Sequence, residues 1–397
     1  MPSDRASVPC QEDYRRRLLA LGFDDVRFAV LDQDTPALQD ETAALHDWLA
    51  AGQHADMHWL ERSAARRLDP QLVLPGARSM VLLGVNYWDH ADPASGPENS
   101  PEQPAAPTWA RYARYEDYHD SIKPGLVAAG RALEEIFGAA AGDYRTYVDT
   151  GPVLERAWAA RAGIGFVGKN TMLISRRHGN WLLLAAIVTR IAFTPDAPIH
   201  RKSATPAVGL LCGKCTRCLD ACPTEAFPRP GVLDARRCIS YQTIENKGVI
   251  PRPLRPGIGE RIFGCDICLE VCPWNRFART GRQLLLSARH DIATLTLGQI
   301  LELTPEGFAG TFRRTPIKRL TLPRLLRNAC VVAGNSGQAD HLPVLLHLAT
   351  DHPSPLVRAH AVWAVFRLGG GDRLAAARTA ETDSVVLAEF AEEATPE

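Results

Sequence analysis

The feature that most constrains this chain is a cysteine-rich stretch from Cys212 to Pro273, which holds eight of its ten cysteines. The first run in this stretch, CGKCTRCLDACP, has the spacing C-x2-C-x2-C-x3-C-P. In proteins with this spacing, three thiolates bind one iron–sulfur cluster and the fourth binds a second cluster. A second run, GCDICLEVCP, supplies three more cysteines, and Cys238 lies between the two runs. Eight thiolates are the number that two 4Fe–4S clusters require.

The crossed spacing divides these cysteines into two ligand sets. The first cluster takes Cys212, Cys215, Cys218 and Cys272, and the second takes Cys222, Cys238, Cys265 and Cys268. Structural zinc and disulfides are the alternatives. Zinc binds C-x2-C pairs, but it requires neither the third C-x2-C step nor the C-x3-C-P ending. Disulfides require an oxidising compartment, and no export signal is visible, so we favour two clusters and expect no cluster role for Cys10 or Cys330.

The composition is that of an ordinary globular protein. The chain has 397 residues, of which 46% are apolar and 23% charged, and this length suggests two or three domains. Because the formal net charge is zero, any nucleic-acid surface must be a local patch. The apolar stretch near the N-terminus is too short for a signal peptide, and the most apolar run, Trp181–Val188, is too short to span a membrane. We therefore expect a cytoplasmic protein without a membrane partner.

Strands alternate with helices in the first half of the chain, which favours an α/β domain. The predicted helices are 14–22, 41–51, 126–137 and 154–163, and the predicted strands are 25–31, 79–88 and 144–153. Residues 89–107, rich in proline, serine and acidic residues, are expected to form an exposed loop. We predict an α/β domain over 1–200, a ferredoxin-like domain over 201–280 and an all-α domain over 281–397.

Two segments of the predicted all-α domain resemble each other. RNACVVAGN at 327–335 and RAHAVWAVF at 358–366 superpose at an offset of 31 residues, with Ala333 matching Ala364. Two helices rich in small residues at this spacing suggest a degenerate helical repeat of the HEAT type. Chance similarity between two alanine-rich helices is the alternative.

The segment AGIGFVGKN contains two incomplete nucleotide-binding motifs. Gly163, Gly165 and Gly168 fit G-x-G-x-x-G, and Gly163 to Lys169 fit a P-loop that lacks its final hydroxyl residue, which is replaced by Asn170. Both motifs require a strand before the glycines and a helix after them, whereas here a predicted helix precedes them. We therefore favour a tight helix-to-strand turn, which could line another cofactor.

Candidate acid–base residues lie close to the predicted strand ends. Asp149, in YVDTGP, follows a strand and could face a pocket, while Tyr118 and His119 lie in RYEDYHD. The alternative for Asp149 is a role as N-cap or Asx turn before the next helix. The residues alone favour this capping role.

Basic residues are concentrated in two stretches. The segment 309–328 contains no acidic residue and carries Arg313, Arg314, Lys318, Arg319, Arg324 and Arg327, and the segment 247–264 carries Lys247, Arg252, Arg255 and Arg261. Such surfaces attract a phosphate backbone. A solvated helix face is the usual alternative.

Several motifs together resemble the epoxyqueuosine reductases. They are RYEDYHD, VDTGPVLERAWAARAGIGFVGKNTMLIS, DARRCISYQTIENKG and RIFGCDICLEVCPWNRF, arranged around CGKCTRCLDACPTEAF. The resemblance runs from about residue 11 into the helical C-terminal region. It implies a cobalamin in the N-terminal α/β domain, two 4Fe–4S clusters in the ferredoxin-like domain, and a HEAT-like C-terminal domain that helps to hold tRNA.

The resemblance also implies a reaction, partners and site residues. Such enzymes reduce epoxyqueuosine to queuosine at the wobble position of tRNA anticodons, with an external one-electron donor, and we expect a monomer. The proton donor of the family corresponds to Asp149, which displaces the capping interpretation. The implied cobalamin contacts are Arg67, Asp149, Leu173, Ile174, Ser175, Leu184 and Ser240. The implied tRNA contact is Lys247, to which we add the basic residues Arg313, Arg314, Lys318 and Arg319 as a hypothesis.

Two other classes of protein share part of this plan. Reductive dehalogenases combine cobalamin with two clusters, but they usually carry an export signal and lack a helical-repeat tail. A ferredoxin with additional domains would transfer electrons without bound corrinoid.

Overall fold

The computed structural model describes residues 8–31, 36–89, 107–199, 208–282 and 285–393. Nearly all of the predicted loop 89–107 lies outside the described residues. The described residues divide into two compact units. Unit 1 takes the described residues within Met1–Ala91, Asp117–Arg236 and Ile267–Ser287, and unit 2 takes those within Asp92–Glu116, Arg237–Asp266 and Ala288–Glu397. The three-domain boundaries inferred from the sequence stay a prediction.

Short and medium strands occur in both units. In chain order they are β1 (Asp25–Val30), β2 (Ser79–Asn86), β3 (Thr108–Trp109), β4 (Tyr144–Val148), β5 (Gly165–Val167), β6 (Leu173–Ser175), β7 (Leu182–Thr189) and β8 (Arg261–Phe263). The sheet of unit 1 has the order β1-β2-β7-β4, and β5 pairs with β6. In unit 2, β3 pairs with β8.

Helices make up much of the remainder. They are α1 (Val8–Ala20), α2 (Pro36–Ala50), α3 (His58–Leu68), α4 (Tyr118–Phe137), α5 (Glu155–Arg161), α6 (Arg217–Asp220), α7 (Arg255–Ile258), α8 (Ile267–Glu270), α9 (His290–Ala293), α10 (Leu297–Leu301), α11 (Pro305–Thr311), α12 (Leu322–Ser336), α13 (Leu342–Asp351), α14 (Pro355–Arg367), α15 (Ala375–Ala380) and α16 (Ser384–Glu393). Within the described ranges, no helix is long and apolar enough to cross a membrane.

The predicted alternation of helices and strands is present in unit 1. All three pairings in its four-stranded sheet are nevertheless antiparallel. Antiparallel strands can be joined by connections of many lengths, whereas parallel strands need a crossover. The order of element types therefore predicts a mixed α/β fold but does not determine the direction of the strands.

Both faces of this sheet are covered. Strand β2 is buried at every residue, and alternate side chains of a strand point to opposite faces. Met80 belongs to the apolar cluster that contains Trp158 of α5. Val81 points to the other face, where its register partner Phe28 lies with its ring centroid 6.4 Å from that of Tyr14 in α1. The covered sheet gives a rigid base for the loops at its edges.

Helix α4 begins earlier than the apolar pattern predicts, at Tyr118 instead of residue 126. The Asp117 side chain accepts a hydrogen bond from the His119 backbone N–H and so caps the helix N-terminus. Because of this cap, Tyr118 and His119 lie in the first turn of a long helix.

In unit 2, α12 and α14 pack closely against each other. They contain the two similar segments, 327–335 and 358–366. A Cβ atom added at Gly334 would lie 2.6 Å from Trp363 Cζ3 and 3.0 Å from Ala364 Cα, so a small residue is required at this position. The small residues of the two segments thus serve close helix packing, and the HEAT-type repeat stays a prediction.

Candidate functional site

Four of the predicted cluster ligands lie in unit 1 and line one cavity. Cys212, Cys215, Cys218 and Cys272 line it together with Lys169, Asn170, Ile174, Pro273 and Trp274. The cavity volume is about 120 Å³, several times the roughly 10–15 Å³ that one water molecule needs. These four cysteines are the set that the crossed spacing assigns to the first cluster. No disulfide joins any of the ten cysteines, all of which are among the described residues.

The thiols of this cavity affect one another. Burial, together with the charges of Cys212 and Cys272, raises the pKa of Cys218 to about 11. Burial also raises the pKa of Cys212, and Cys272 adds to that shift. A metal deprotonates the thiols that coordinate it. The arrangement is therefore unfavourable for bare thiolates and suited to a positively charged group that they could hold.

The glycine segment, Gly163–Asn170, supports the cysteine loops through the two residues at its end, which follow β5. Lys169 Nζ donates hydrogen bonds to the carbonyl oxygens of Gly213 at 2.8 Å and Cys215 at 3.0 Å. Asn170 Nδ2 donates to the carbonyl oxygen of Cys268 at 3.1 Å. The segment therefore holds the backbone at two predicted cluster ligands, Cys215 and Cys268, and next to a third, Cys212.

The first residues of this segment connect a helix to a strand, as predicted. Helix α5 precedes the glycines and β5 begins at Gly165. Gly163 has a φ of +84°, and a Cβ there would collide with the carbonyl oxygen of Ala197. The nucleotide-binding interpretations are wrong because the strand and the helix stand in the opposite order to that which a phosphate site requires.

The second predicted ligand set is divided between the two units. Cys222 and Cys268 belong to unit 1, whereas Cys238 and Cys265 belong to unit 2. Within unit 1, the Ala226 backbone N–H donates to Cys222 Sγ at 3.3 Å. The second set stays a prediction.

Asp149 follows β4 directly, in the loop that leads to α5. Its backbone φ is +57°, a left-handed conformation that aspartate tolerates better than most residues. Helix α5 begins at Glu155 with Leu154 at the N-cap position, so an N-cap role for Asp149 is wrong. The carboxylate is 61% exposed and accepts a hydrogen bond from Tyr118 Oη at 2.7 Å. Asp149 is thus an accessible acid held in a defined position.

His119 adds a positive charge beside this acid. Its Nδ1 lies 2.7 Å from Asp117 Oδ1, and its Nε2 lies 3.8 Å from Asp149 Oδ2. Burial lowers the pKa of His119, but the hydrogen bond to Asp117 and the charges of Asp117 and Asp149 outweigh burial and raise it to about 9. The imidazole is therefore protonated at neutral pH.

Arg67 lies on α3 near the same acid. It is buried and donates to the carbonyl oxygen of Val153 at 3.2 Å. Burial lowers its pKa, while Glu155 and Asp149 oppose that shift. Burial raises the pKa of Glu155 to about 7, and the charge of Asp149 adds to this shift. These residues form a cluster of ionisable groups at the end of β4.

The other predicted cobalamin contacts of unit 1 lie on strands. Leu173, Ile174 and Ser175 form β6 and are buried, while Leu184 lies half-buried near the start of β7. Ile174 lines the cysteine cavity. The fold thus places β6 at this cavity, whereas Leu184 is not among the residues that line it.

The predicted contacts in unit 2 are polar and accessible. Ser240 is half-buried and precedes a π-helical turn, Tyr241–Glu245. The basic residues Lys247, Arg313, Arg314, Lys318 and Arg319 are all exposed. Arg314 forms an ion pair with Glu116, and Arg319 forms one with Glu245, each at 3.1 Å. All five cations are therefore accessible to solvent.

Two arginines of the basic stretches are buried in the protein interior. Arg327 and Arg255 are each 0% exposed. Arg255 forms an ion pair with Glu389. The hypothesis that the whole of both stretches forms one phosphate-binding surface is therefore wrong for these two residues, because tertiary packing buries their charges.

Sequence reasoning missed the residues that hold the cysteine loops. Besides Lys169, Asn275 Nδ2 donates to the carbonyl oxygen of Leu269, and its Oδ1 accepts a hydrogen bond from Asn180 Nδ2 at 3.1 Å. The lysine of the incomplete P-loop was the available signal for Lys169. Nothing in the local pattern distinguishes Asn180 or Asn275.

Two protein families match parts of the chain. Residues 211–275 match "4Fe-4S double cluster binding domain", and residues 67–150 match "Epoxyqueuosine reductase QueG, DUF1730". The first match covers the cavity cysteines and the second ends just after Asp149.

Similarity extends over nearly the whole chain. The epoxyqueuosine reductase of Pseudomonas aeruginosa is 36% identical over 351 residues, which cover 88% of this chain and 92% of that protein. An epoxyqueuosine reductase solved with a tRNA-Tyr epoxyqueuosine-modified tRNA stem loop is 29% identical, with a TM-score of 0.80 over 97% of this chain and 98% of that one. The Bacillus subtilis epoxyqueuosine reductase, solved with its catalytic aspartate loop swung out of the active site, is 29% identical, with a TM-score of 0.82 over the same shares. The chain belongs to the epoxyqueuosine reductase family.

Proposed function

We propose that this protein reduces epoxyqueuosine to queuosine at the wobble position of tRNA anticodons. The family match supports this reaction, as does the relative solved with an epoxyqueuosine-modified stem loop. The observation that carries the proposal is that unit 1 contains both a cavity lined by four cysteines and an exposed, hydrogen-bonded acid, Asp149. Removing an epoxide oxygen as water and forming a double bond consumes two electrons and two protons, so the reaction needs both features.

Two 4Fe–4S clusters are proposed to bring the electrons. Their ligands would be Cys212, Cys215, Cys218 and Cys272 for the first and Cys222, Cys238, Cys265 and Cys268 for the second, an assignment that the double-cluster family match supports. Bound clusters pass electrons one at a time, so an external one-electron donor is required. Lys169 and Asn170 would keep the cysteine loops in position through their hydrogen bonds to backbone carbonyls.

Cobalamin is the proposed second cofactor. Its contacts would be Arg67, Asp149, Leu173, Ile174, Ser175, Leu184 and Ser240. The site has an atom that suits such a ligand: the buried Oε1 of Glu155 has no hydrogen-bond partner within the described part of the chain. The amide groups at the edge of a corrin could donate to this oxygen and accept from Arg67. When bound, cobalamin supplies a strongly reducing and nucleophilic cobalt centre.

Asp149 is proposed to give a proton to the departing epoxide oxygen. An alkoxide is a poor leaving group near neutral pH, so a positioned acid lowers the barrier. Because Asp149 is a carboxylate in the structure, the His119 imidazolium, 3.8 Å away, would supply this proton to it, and Asp117 holds the imidazole in place. Tyr118 fixes the carboxylate through its hydrogen bond.

The proposed partner is tRNA, bound in part by unit 2. A wobble base must leave its stack to reach a reducing site, so the surrounding stem needs a surface to hold it. Lys247, Arg313, Arg314, Lys318 and Arg319 are the proposed phosphate contacts, because all five are exposed. A HEAT-like arrangement over 281–397, a monomeric state and a cytoplasmic location are parts of the same proposal.

An anaerobic single-turnover reaction tests the function. The protein, reconstituted with iron, sulfide and cobalamin and then reduced, is mixed with epoxyqueuosine-containing tRNA, and the digested nucleosides are analysed by mass spectrometry. We expect the loss of one oxygen mass in the wild type. Asp149→Asn should slow this conversion by about 10²–10⁴-fold, the usual contribution of a general acid, with clusters and corrinoid still bound.

Asp47→Asn is the matched control, since Asp47 is an exposed aspartate of α2 in the same unit. It should convert the substrate at the wild-type rate. No conversion by a fully loaded wild-type protein would reject the reaction. Equal rates for Asp149→Asn and the wild type would reject the acid alone.

A further inference from the structure

A group of metal-binding side chains lies at the start of α3, outside the site described above. Ligand atoms of His54, His58 and Glu61 all lie within 4.8 Å of one another. Nε2 of His54 is 2.9 Å from Oε1 of Glu61, and Nδ1 of His58 is 3.3 Å from Oε2 of the same carboxylate. One carboxylate therefore stands between two imidazoles.

His54 provides an independent indication that this group binds a metal ion. The residue is only 4% exposed, yet neither ring nitrogen has a hydrogen-bond partner among the described residues. Although Nε2 is close to the Glu61 oxygen, the two are not aligned as donor and acceptor. A buried polar group without a partner is unfavourable, and His54 offers one of the three candidate ligand atoms, which all lie within 4.8 Å of one another.

The chemistry of the three donor side chains indicates which kind of metal ion they would bind. Two imidazoles and one carboxylate form a set that binds Zn²⁺ in proteins, usually with a fourth position open to water. Metal–ligand distances of about 2.0–2.2 Å place tetrahedral ligand atoms roughly 3.4 Å apart. The two imidazole nitrogens lie 2.9 Å and 3.3 Å from different oxygens of Glu61, so the three side chains are near enough to share one ion. We propose that His54, His58 and Glu61 bind one Zn²⁺ ion, or a divalent transition-metal ion of similar ligand preference, with a fourth position open to solvent.

The surrounding contacts indicate what the ion would do. The turn that carries His54 is tied to the segment 233–235, because Trp48 Nε1 donates to the carbonyl oxygen of Leu233 and the Ala235 N–H donates to that of Gln53. His58 and Glu61 belong to the first turn of α3. A bound ion would therefore join the start of α3 to this anchored turn and stabilise the helix that carries Arg67.

Metal analysis of the reconstituted holoprotein tests this site. The protein is dialysed against buffered Zn²⁺, and zinc and iron are both counted per chain. We expect one zinc in the wild type in addition to the full iron content. His58→Ala, which removes an exposed ligand and should leave the fold intact, should weaken zinc binding by an order of magnitude or more. Zn²⁺ should also raise the melting temperature of the wild type but not of this variant.

His347→Ala is the control, because His347 is an exposed histidine paired with a carboxylate, Asp351, on α13. It should bind zinc as the wild type does. Zinc that replaces iron at the cysteines would appear as a reduced iron content and would not count as support. Equal zinc content and affinity in His58→Ala and the wild type would overturn the proposal, and so would a wild type that binds no zinc.

Discussion

At the scale of single residues, the charge on His119 depends on its two acidic neighbours. Burial alone would keep the imidazole neutral, but Asp117 and Asp149 raise its pKa to about 9, compared with about 6.5 in an unfolded chain. Because the pKa is higher in the folded state, this pairing stabilises the fold fully below about pH 6.5. The stabilisation is lost as the pH rises through about 9.

A pH series on His119→Gln tests this pairing. The variant should melt at a lower temperature than the wild type at pH 6, and the difference should vanish near pH 10, because the imidazole is then neutral. If His119 replenishes the proton of Asp149, wild-type conversion should also fall as the pH passes about 9. The exposed His347→Gln serves as the control, and at pH 6 it should lower the melting temperature by less than His119→Gln does. A His119→Gln difference that does not change with pH would contradict the ion pairing.

At the scale of elements, the glycine segment contacts the first cysteine loop through Lys169, which lies between β5 and β6. Its two hydrogen bonds reach carbonyl oxygens of the first cysteine loop, and hydrogen bonds to a charged group contribute about 1.5–3 kcal/mol each. Lys169→Met keeps the length of the side chain and removes both bonds. We expect a chelator to extract iron from the variant about tenfold faster or more, since about 1.4 kcal/mol corresponds to one factor of ten.

Lys214→Met provides the comparison, because Lys214 is exposed and lies in the same loop. Iron extraction from this variant should match that of the wild type. Equal rates of iron extraction from Lys169→Met and Lys214→Met would show that Lys169 has no role in holding the first cysteine loop.

Helix α12 holds the segment 242–248 through a buried charge. Arg327 donates to the carbonyl oxygens of Gln242 at 2.7 Å, Asn246 at 2.8 Å and Gly248 at 2.7 Å. This segment follows Cys238 and contains Lys247. Arg327→Leu would leave buried carbonyls without donors, at about 1–3 kcal/mol each, so thermal unfolding should reveal a loss of at least about 3 kcal/mol. Arg378→Leu, an exposed arginine of α15, should change stability by less than about 0.5 kcal/mol, and a similar small effect of Arg327→Leu would refute this role.

At the scale of the whole molecule, the sequence predicts what depends on local spacing. The cavity cysteines follow from their motif, and the strands follow from runs of apolar residues. The supporting contacts do not, because they join residues far apart in the chain: Lys169 reaches Gly213 over 44 positions and Cys215 over 46. The burial of Arg327 could not be predicted from the sequence for the same reason. In the sequence it belongs to a basic run, and only the packing of α12 against the segment 242–248 reveals that its charge is buried.

The zero net charge of the chain makes tRNA binding a question of where the charges lie. Arg313, Arg314 and Arg319 are exposed in unit 2. Replacing all three with glutamine should weaken tRNA binding. It should also lower the slope of the logarithm of the binding constant against the logarithm of the salt concentration by roughly one unit for each phosphate that the protein no longer neutralises. Arg367, Arg373 and Arg378, also exposed in unit 2, form the matched control, because replacing these three with glutamine changes the net charge of the protein equally. Binding measured across a series of salt concentrations separates the two cases. Equal slopes for the two triple variants would show that tRNA responds to the total charge of the protein, and the proposed surface would then be wrong. A lower slope for the first variant alone would assign the phosphate contacts to Arg313, Arg314 and Arg319.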